Sequence, residues 1–227
     1  MTNNPKTHSS DTARITSADV LRGIKLGFPI FLGYLPVGLA FGILAYQKGF
    51  TFLQTVVCSA TALAGAGQFI GLATLVAGGD ALTVIIATGV VNLRYVLFAA
   101  TISPYLRSIP IHKLPWIGYT LTDEAFAVNI HDLRSGKANL GSMTGIGIIE
   151  WLGWVLGTVI GALGSTWIGD PAAWGVDFAM AAMFAALFVA LAEHAKHVIT
   201  GALAGLLVII LWSLQFVGLS IDSNWFI

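Results

Sequence analysis

Between residues 26 and 219 the chain is a succession of long apolar runs joined by short polar connections. About 20 apolar residues is the length of a helix that crosses the hydrocarbon of a bilayer. Lipid offers the backbone no hydrogen-bond partners, so such a run closes its bonds internally as a helix. The runs cover residues 26–46, 52–77, 81–103, 140–163, 174–192 and 198–219, with a shorter, more polar one at 116–130. They predict an all-α integral membrane protein, a bundle of about seven transmembrane helices. Composition agrees: 10% of residues are charged and 56% hydrophobic, with a mean hydropathy of +0.84. A soluble domain carries about 25% charged residues.

Three segments follow from this pattern. Residues 1–25 form a polar N-terminal tail that ends in an interfacial helix around 16–25. Residues 26–219 form one transmembrane domain, since no connection is long enough for a soluble one, and residues 220–227 form a short C-terminal tail. The first apolar run is longer than the roughly 7–15 residues of a secretory signal, so none is expected. The net charge of zero gives no hint of nucleic acid, and the single cysteine, Cys58, excludes an internal disulfide. No local pattern supports thiol chemistry at Cys58, which reads as a small packing residue.

Positive charge concentrates on the cytoplasmic side of membrane proteins. With seven spans and the N-terminus inside, seven basic residues are cytoplasmic: Lys6, Arg14, Arg22, Lys25, Arg134, Lys137 and Lys196. Lys48, Arg107 and Lys113 make three outside. A re-entrant second span changes the split to six against four.

Several runs carry signs of irregularity. The second has Ala64-Gly65-Ala66-Gly67-Gln68-Phe69 at its centre, a weak helix expected to break near Gly65–Gly67. Backbone at such a depth unwinds only where protein or a wet cavity receives it. A kinked packing helix is the other reading. Pro29 and Pro36 predict bends in the first run. Gly153, Gly157 and Gly161 recur every four residues on one helix face, suited either to packing within the bundle or to docking a separate partner helix.

Polar side chains from four runs share one depth: Gln68, Asn92 and Arg94, Asp123 and Glu124, and Glu150. An ionised residue at the bilayer centre costs at least about 2.5–3.5 kcal/mol, so mutual pairing inside the bundle is expected. Arg94 stands about 14 Å from the end of its run, too far to reach the interface. It must meet Asp123, Glu124 or Glu150. Asn92 and Arg94 are two residues apart and point to different faces of a helix. If both serve one cavity, the third run is irregular there. Three acids against one base leave carboxyls that need a proton, water or a cationic substrate group. That is a basis for proton-coupled transport of a zwitterion such as an amino acid. A static ion-pair network is the alternative.

The segments Gly27–Ala45 ("GFPIFLGYLPVGLAFGILA"), Ala64–Phe69 ("AGAGQF"), Asn92–Leu106 ("NLRYVLFAATISPYL") and Leu121–Ala127 ("LTDEAFA") resemble the AzlC family in content and order. The resemblance implies export of branched-chain amino acids (Val, Leu or Ile, and Met in some members) across the bacterial inner membrane, driven by the proton gradient with no cofactor. It also implies a small AzlD-type membrane partner. Its segments fall on Gly65, Gly67, Gln68, Asn92, Arg94, Asp123 and Glu124. The expected substrate-binding set is therefore Gly65, Gly67, Gln68, Asn92, Arg94 and Asp123. The expected proton-coupling set is Asp123, Glu124 and Glu150.

Other classes fit less well. A zinc protease needs His-Glu-x-x-His, which the chain lacks. Glu193 and His197 share a face, but Glu193–His197 reads as a basic helix end rather than a metal site. No Ser or Cys nucleophile stands beside a base, so no enzymatic activity is expected. A channel or an accessory structural subunit remains the alternative to a carrier.

Overall fold

The computed structural model describes residues 15–168 and 195–214, with positions 173, 175, 178, 182 and 185. The chain divides into two units, 1–177 and 178–227. Every regular element among the described residues is helical. In the first unit these are α1 (Ser17–Gln47), α2 (Phe52–Ala62), α3 (Gly65–Val76), α4 (Ala81–Asn92), α5 (Arg94–Ile102), α6 (Leu114–Tyr119), α7 (Asp123–Arg134) and α8 (Leu140–Ile168). The second unit contains α9 (Ala195–Leu214), 20 residues with outward apolar side chains such as Leu203, Leu206 and Ile209. Of the run at 174–192 only positions 175, 178, 182 and 185 are described; residues 1–14, Glu193, His194 and residues 215–227 lie outside the described residues.

Helix α1 has 31 residues, about 46 Å at 1.5 Å per residue. It starts at a Thr16 cap whose hydroxyl accepts from the Asp19 amide, and it continues through Pro29 and Pro36. The expected interfacial helix and the first span are thus one element. Helix α8 has 29 residues and lies along α1 on a seam of small residues. A Cβ at Gly23, Gly38 or Gly42 would stand 2.0, 2.5 or 2.2 Å from the backbone oxygens of Ser142, Trp154 or Thr158. From the other side, Gly145, Gly157 and Gly161 press on the carbonyls of Val20, Leu35 and Leu39. The glycine repeat therefore packs within the bundle. Partner numbers rise together along both helices, so α1 and α8 run parallel. The chain between them must cross an odd number of times.

The second run does not cross. Helix α2 begins at a Thr51–Gln54 capping box, and Phe50 is bonded back to Ala45 near the end of α1. Helix α2 stops at Leu63, whose φ of +28° is left-handed, and α3 starts at Gly65. Gln68 then donates to Ser59 at 3.2 Å. Nine residues of continuous helix would separate the two by about 13 Å, so the chain has folded back. Phe50 and Leu75, from the two open ends, line one cavity. The arms have 11 and 12 residues, about 17 and 18 Å each, half of a bilayer core. The pair is a re-entrant hairpin, broken just before the glycines rather than between them.

The third run crosses with a break. Asp80 caps α4, and hydrogen bonds from Thr83 hold its carboxyl below the usual carboxylate range. Helix α4 returns along α3, with Thr88 against Gly71 and Asn92 against Gly67. At Leu93 the path bends by 40° into α5. The irregularity expected between Asn92 and Arg94 is there. Helix α5 ends in a 3-10 turn, Ser103–Leu106. Ile102 and Leu106 join Ile130, Leu140 and Met143 in one apolar cluster, on the side where α1 and α8 begin.

The fourth run does not cross either. It is two helices, of 6 and 12 residues, separated by Thr120–Thr122. Helix α7 starts beside the middle of α1, where Tyr34 donates to Glu124. It ends beside the start of α1, where Arg22 forks onto both oxygens of Asp132 at 2.6 and 2.7 Å. Helices α6 and α7 thus form a second re-entrant hairpin, entering from the side opposite to the first. The first unit holds three crossings among its described residues: α1, α4–α5 and α8. By length and apolarity the described helices also allow two spans, or three with the bent pair counted as one. The expected bundle of seven is corrected for these residues: spans two and four are too short in each arm to traverse.

The α1–α8 seam makes a direct test possible. Gly157→Ala puts a methyl 2.3 Å from the Leu35 carbonyl, whereas Gly33 has nothing within 4 Å of its Cβ position. Gly157→Ala should cost about 1–3 kcal/mol through overpacking, and Gly33→Ala should cost nothing. Unfolding in detergent measures both; equal effects would contradict the parallel seam.

Candidate functional site

Three helices end at mid-depth (α2, α4 and α6) and three begin there (α3, α5 and α7). Each interruption exposes backbone groups that a continuous helix would have paired. Protein side chains receive part of them. The Ala60 carbonyl, in the last turn of α2, accepts from the Tyr119 hydroxyl at 2.6 Å and from Trp151 Nε1 at 3.1 Å. The tips of the two hairpins are thereby bonded to each other and to α8. Thr122 caps α7, accepting from the Ala125 amide at 3.2 Å. Helix α3 has no side-chain cap.

The charged residues gather around the start of α7. Arg94, first residue of α5, pairs with Asp123, first residue of α7, at 2.9 Å. Of the three acids considered for Arg94, Asp123 is the ion-pair partner. The guanidinium also lies 5.2 Å from the centre of the Tyr95 ring. The pair is about one-fifth exposed, with side-chain values of 23% and 18%. Beneath it, Phe98 stacks on Phe126 at 4.3 Å and aligns α5 with α7. The carboxylates at the start of α7 sit favourably in the field of its N-terminus. Arg94 has the opposite relation to α5, which Asp123 offsets.

Glu124 and Glu150 occupy deeper positions. Glu124 accepts from Tyr34, itself packed edge-on against Trp154 at 5.3 Å. Glu150 is 0% exposed; its Oε2 accepts from Thr122 at 2.9 Å, and its Oε1 has no hydrogen-bond partner. Thr122 therefore links the cap of α7 to the Glu150 carboxyl.

Gln68 and Asn92 form a second, neutral group. Gln68 Nε2 reaches Ser59 at 3.2 Å and Cys58 Sγ at 3.6 Å, and Ser59 meets Thr158 at 2.8 Å. The Asn92 amide lies flat on Gly67, at 3.0 Å from where a Cβ would be. Gln68 Oε1 and Asn92 Oδ1 are buried without hydrogen-bond partners, and both residues line a cavity of ≈270 Å³. Gly67 lines it too, while Gly65 opens α3 beside it.

The eight expected residues thus fall into a charged group on α5, α7 and α8, and a neutral group on α3 and α4. Sequence reasoning missed Tyr34, Thr122 and Tyr119. Tyr34 carried a signal, a hydroxyl midway along an apolar run, but nothing tied it to Glu124. It also missed the Arg22–Asp132 fork, which Lys137 O extends at 3.1 Å.

The Arg94–Asp123 contact predicts non-additive mutants. Arg94→Ala and Asp123→Asn should each destabilise the protein. The double mutant should fall short of their sum by about 1–3 kcal/mol, the coupling of residues in one network. Denaturant unfolding of the four proteins measures it; strict additivity would show the pair to be energetically idle.

The sequence profile of the AzlC protein family matches residues 29–168, from the fourth turn of α1 to the end of α8. The inner membrane protein YgaZ of Escherichia coli K12 is 36% identical over 183 residues, 76% of this chain and 71% of that protein. An uncharacterized membrane protein of Helicobacter pylori J99 is 32% identical over 75% of this chain and 76% of its own. The branched-chain amino acid transport protein AzlC of Bacillus subtilis 168 is 26% identical over 71% of this chain and 63% of its own. No solved structure matches. With more than half of its length matched, and with the motif segments placed around one mid-depth site, the chain is a membrane protein of the AzlC family.

Proposed function

We propose that this protein exports branched-chain amino acids, Val, Leu and Ile with Met as a further substrate, from the cytoplasm and couples export to proton entry. One observation supports this above the others: an ion pair between Arg94 and Asp123, the first residues of α5 and α7, sits where two interrupted helices begin. Broken helices that meet at mid-depth offer backbone dipoles to a substrate's charged groups. A zwitterion suits the place. Its carboxylate takes the Arg94 side and the open N-terminus of α3, and its ammonium takes Asp123. Gln68, Asn92 and the backbone at Gly65 and Gly67 add neutral hydrogen bonds. Glu124 and Glu150 hold the coupling proton, with the hydroxyls of Tyr34 and Thr122 beside them. The name of the Bacillus subtilis relative agrees with this substrate class.

Orientation follows from charge. With both hairpins re-entrant, Arg22, Lys25, Arg107, Lys113, Arg134 and Lys137 share the side on which α1 starts, and Lys6 and Arg14 precede α1 in sequence. Lys48 alone lies on the opposite side among the described part of the first unit. That asymmetry is steeper than seven spans gave, and it favours a cytoplasmic N-terminus in the bacterial inner membrane. A small AzlD-type subunit completes the transporter in this reading.

Proteoliposomes loaded with labelled leucine, with and without that subunit, test the proposal. An imposed proton gradient should drive efflux. Arg94→Ala and Asp123→Asn should lower it about 10- to 100-fold, the size of one lost hydrogen bond to a charged group. Cells carrying either variant should become sensitive to valine dipeptides. Glu150→Gln keeps the acceptor for Thr122 and removes the titration. It should abolish proton-driven efflux while preserving exchange of labelled for unlabelled leucine. Wild-type efflux from all three variants would leave only a static ion-pair network.

A further inference from the structure

The cavity below Gln68 and Asn92 has a polar end and an apolar body. Gln68, which is 6% exposed, and Asn92 form its polar end, and each carries a buried carbonyl oxygen without a hydrogen-bond partner. A buried acceptor left without a donor carries its full desolvation cost, so a donor group brought to either oxygen would be favoured. The uncapped start of α3 lies next to it. The body is walled by Phe41, Leu72 and Val84 and is ≈270 Å³ in volume. Pockets for drug-sized ligands run from about 300 to 1,000 Å³, so this one suits a smaller molecule. A ligand with donor groups at one end and a short aliphatic chain at the other meets all of these features.

We propose that this cavity is the subsite for the aliphatic side chain of the transported amino acid, and that Gly71 sets the chain length it accepts. The proposal rests on the export reading above and adds a residue to it. Gly71 lies on α3, one helical turn beyond Gly67, facing Thr88 and Val84 across the cavity. A Cβ there would stand 3.5 Å from Thr88 Oγ1 and 3.8 Å from Val84 Cγ1. Those are ordinary contacts, so a methyl fits without moving either neighbour. It does so in space that a ligand would otherwise fill. Gly67 is different: its Cβ position is 3.0 Å from the Asn92 amide, and a side chain there disturbs the polar end. Discrimination by one methylene in an apolar pocket is about 10- to 200-fold, so one added methyl should be read out clearly.

Cys58 supplies a readout independent of transport. It is the chain's single cysteine and it lines the same cavity. In membranes containing the full chain, leucine should slow labelling of Cys58 by N-ethylmaleimide. In Gly71→Ala, which folds at least as readily because alanine is the better helix former, the protecting concentration of leucine should rise at least about 10-fold. That of the shorter valine should change much less. Val84→Ala enlarges the cavity and should shift preference the other way, toward methionine. Competition for labelled leucine in counterflow should give the same order. If leucine is transported but never protects Cys58, the subsite is wrong and the export reading stands. Leucine and valine losing protection equally in Gly71→Ala would overturn the role of Gly71. A wild-type protein that neither transports leucine nor is protected by it would end both proposals.

Discussion

Backbone that stops being helical inside a bilayer must find its hydrogen bonds in protein, and the first unit is organised around that requirement. Three of its apolar runs are interrupted at the same level, at Leu63–Ala64, at Leu93 and at Thr120–Thr122. The interruptions shelter one another: Tyr119 at the tip of one hairpin completes the Ala60 carbonyl at the tip of the other. None of this works unless the two long helices hold the hairpins close. The glycine seam between α1 and α8 brings their backbones within direct contact, and α8 supplies Trp151, Thr158 and Glu150 to the centre.

The same interruptions determine the electrostatics. A continuous helix keeps its dipole ends at the membrane surface, in water. Here N-termini are brought inward together with Asp123 and Glu124, whose negative charge they favour. The arrangement has a cationic member in Arg94 and carboxyls in three distinct settings. Asp123 is paired and partly exposed, Glu124 is bonded to a tyrosine, and Glu150 is enclosed with one oxygen unsatisfied. Residues of one chemical type are thereby given different work by their surroundings.

Hydropathy made the membrane class and the run boundaries legible, and the cost of charge at depth made the meeting of Arg94 with an acid legible. The break beside Gly65 was readable because two glycines and an amide weaken a helix in lipid. What could not be read was the direction taken after each break. A run of 26 residues looks the same to hydropathy whether its halves continue or fold back. Only contacts between remote segments, such as Gln68 with Ser59 and Glu124 with Tyr34, distinguish the two. The fourth run was misread for the same reason: its polarity was taken for a short span, when it marks a turn that α1 and α8 enclose. Thr122 escaped notice because a threonine hydroxyl can bond to its own backbone neighbours, and Tyr34 because nothing in the sequence tied its hydroxyl to Glu124.

The bond between the hairpin tips also bears on how the chain enters the membrane. The Ala60 carbonyl precedes Tyr119 by 59 residues and Trp151 by 91. During synthesis the first hairpin therefore leaves the ribosome long before either donor exists. Its tip cannot rest in lipid in the meantime, so it must wait at the interface or in the shelter of the insertion machinery. Its final depth is reached only after α8 has been translated, which makes assembly of this centre a late event in the life of the nascent polypeptide.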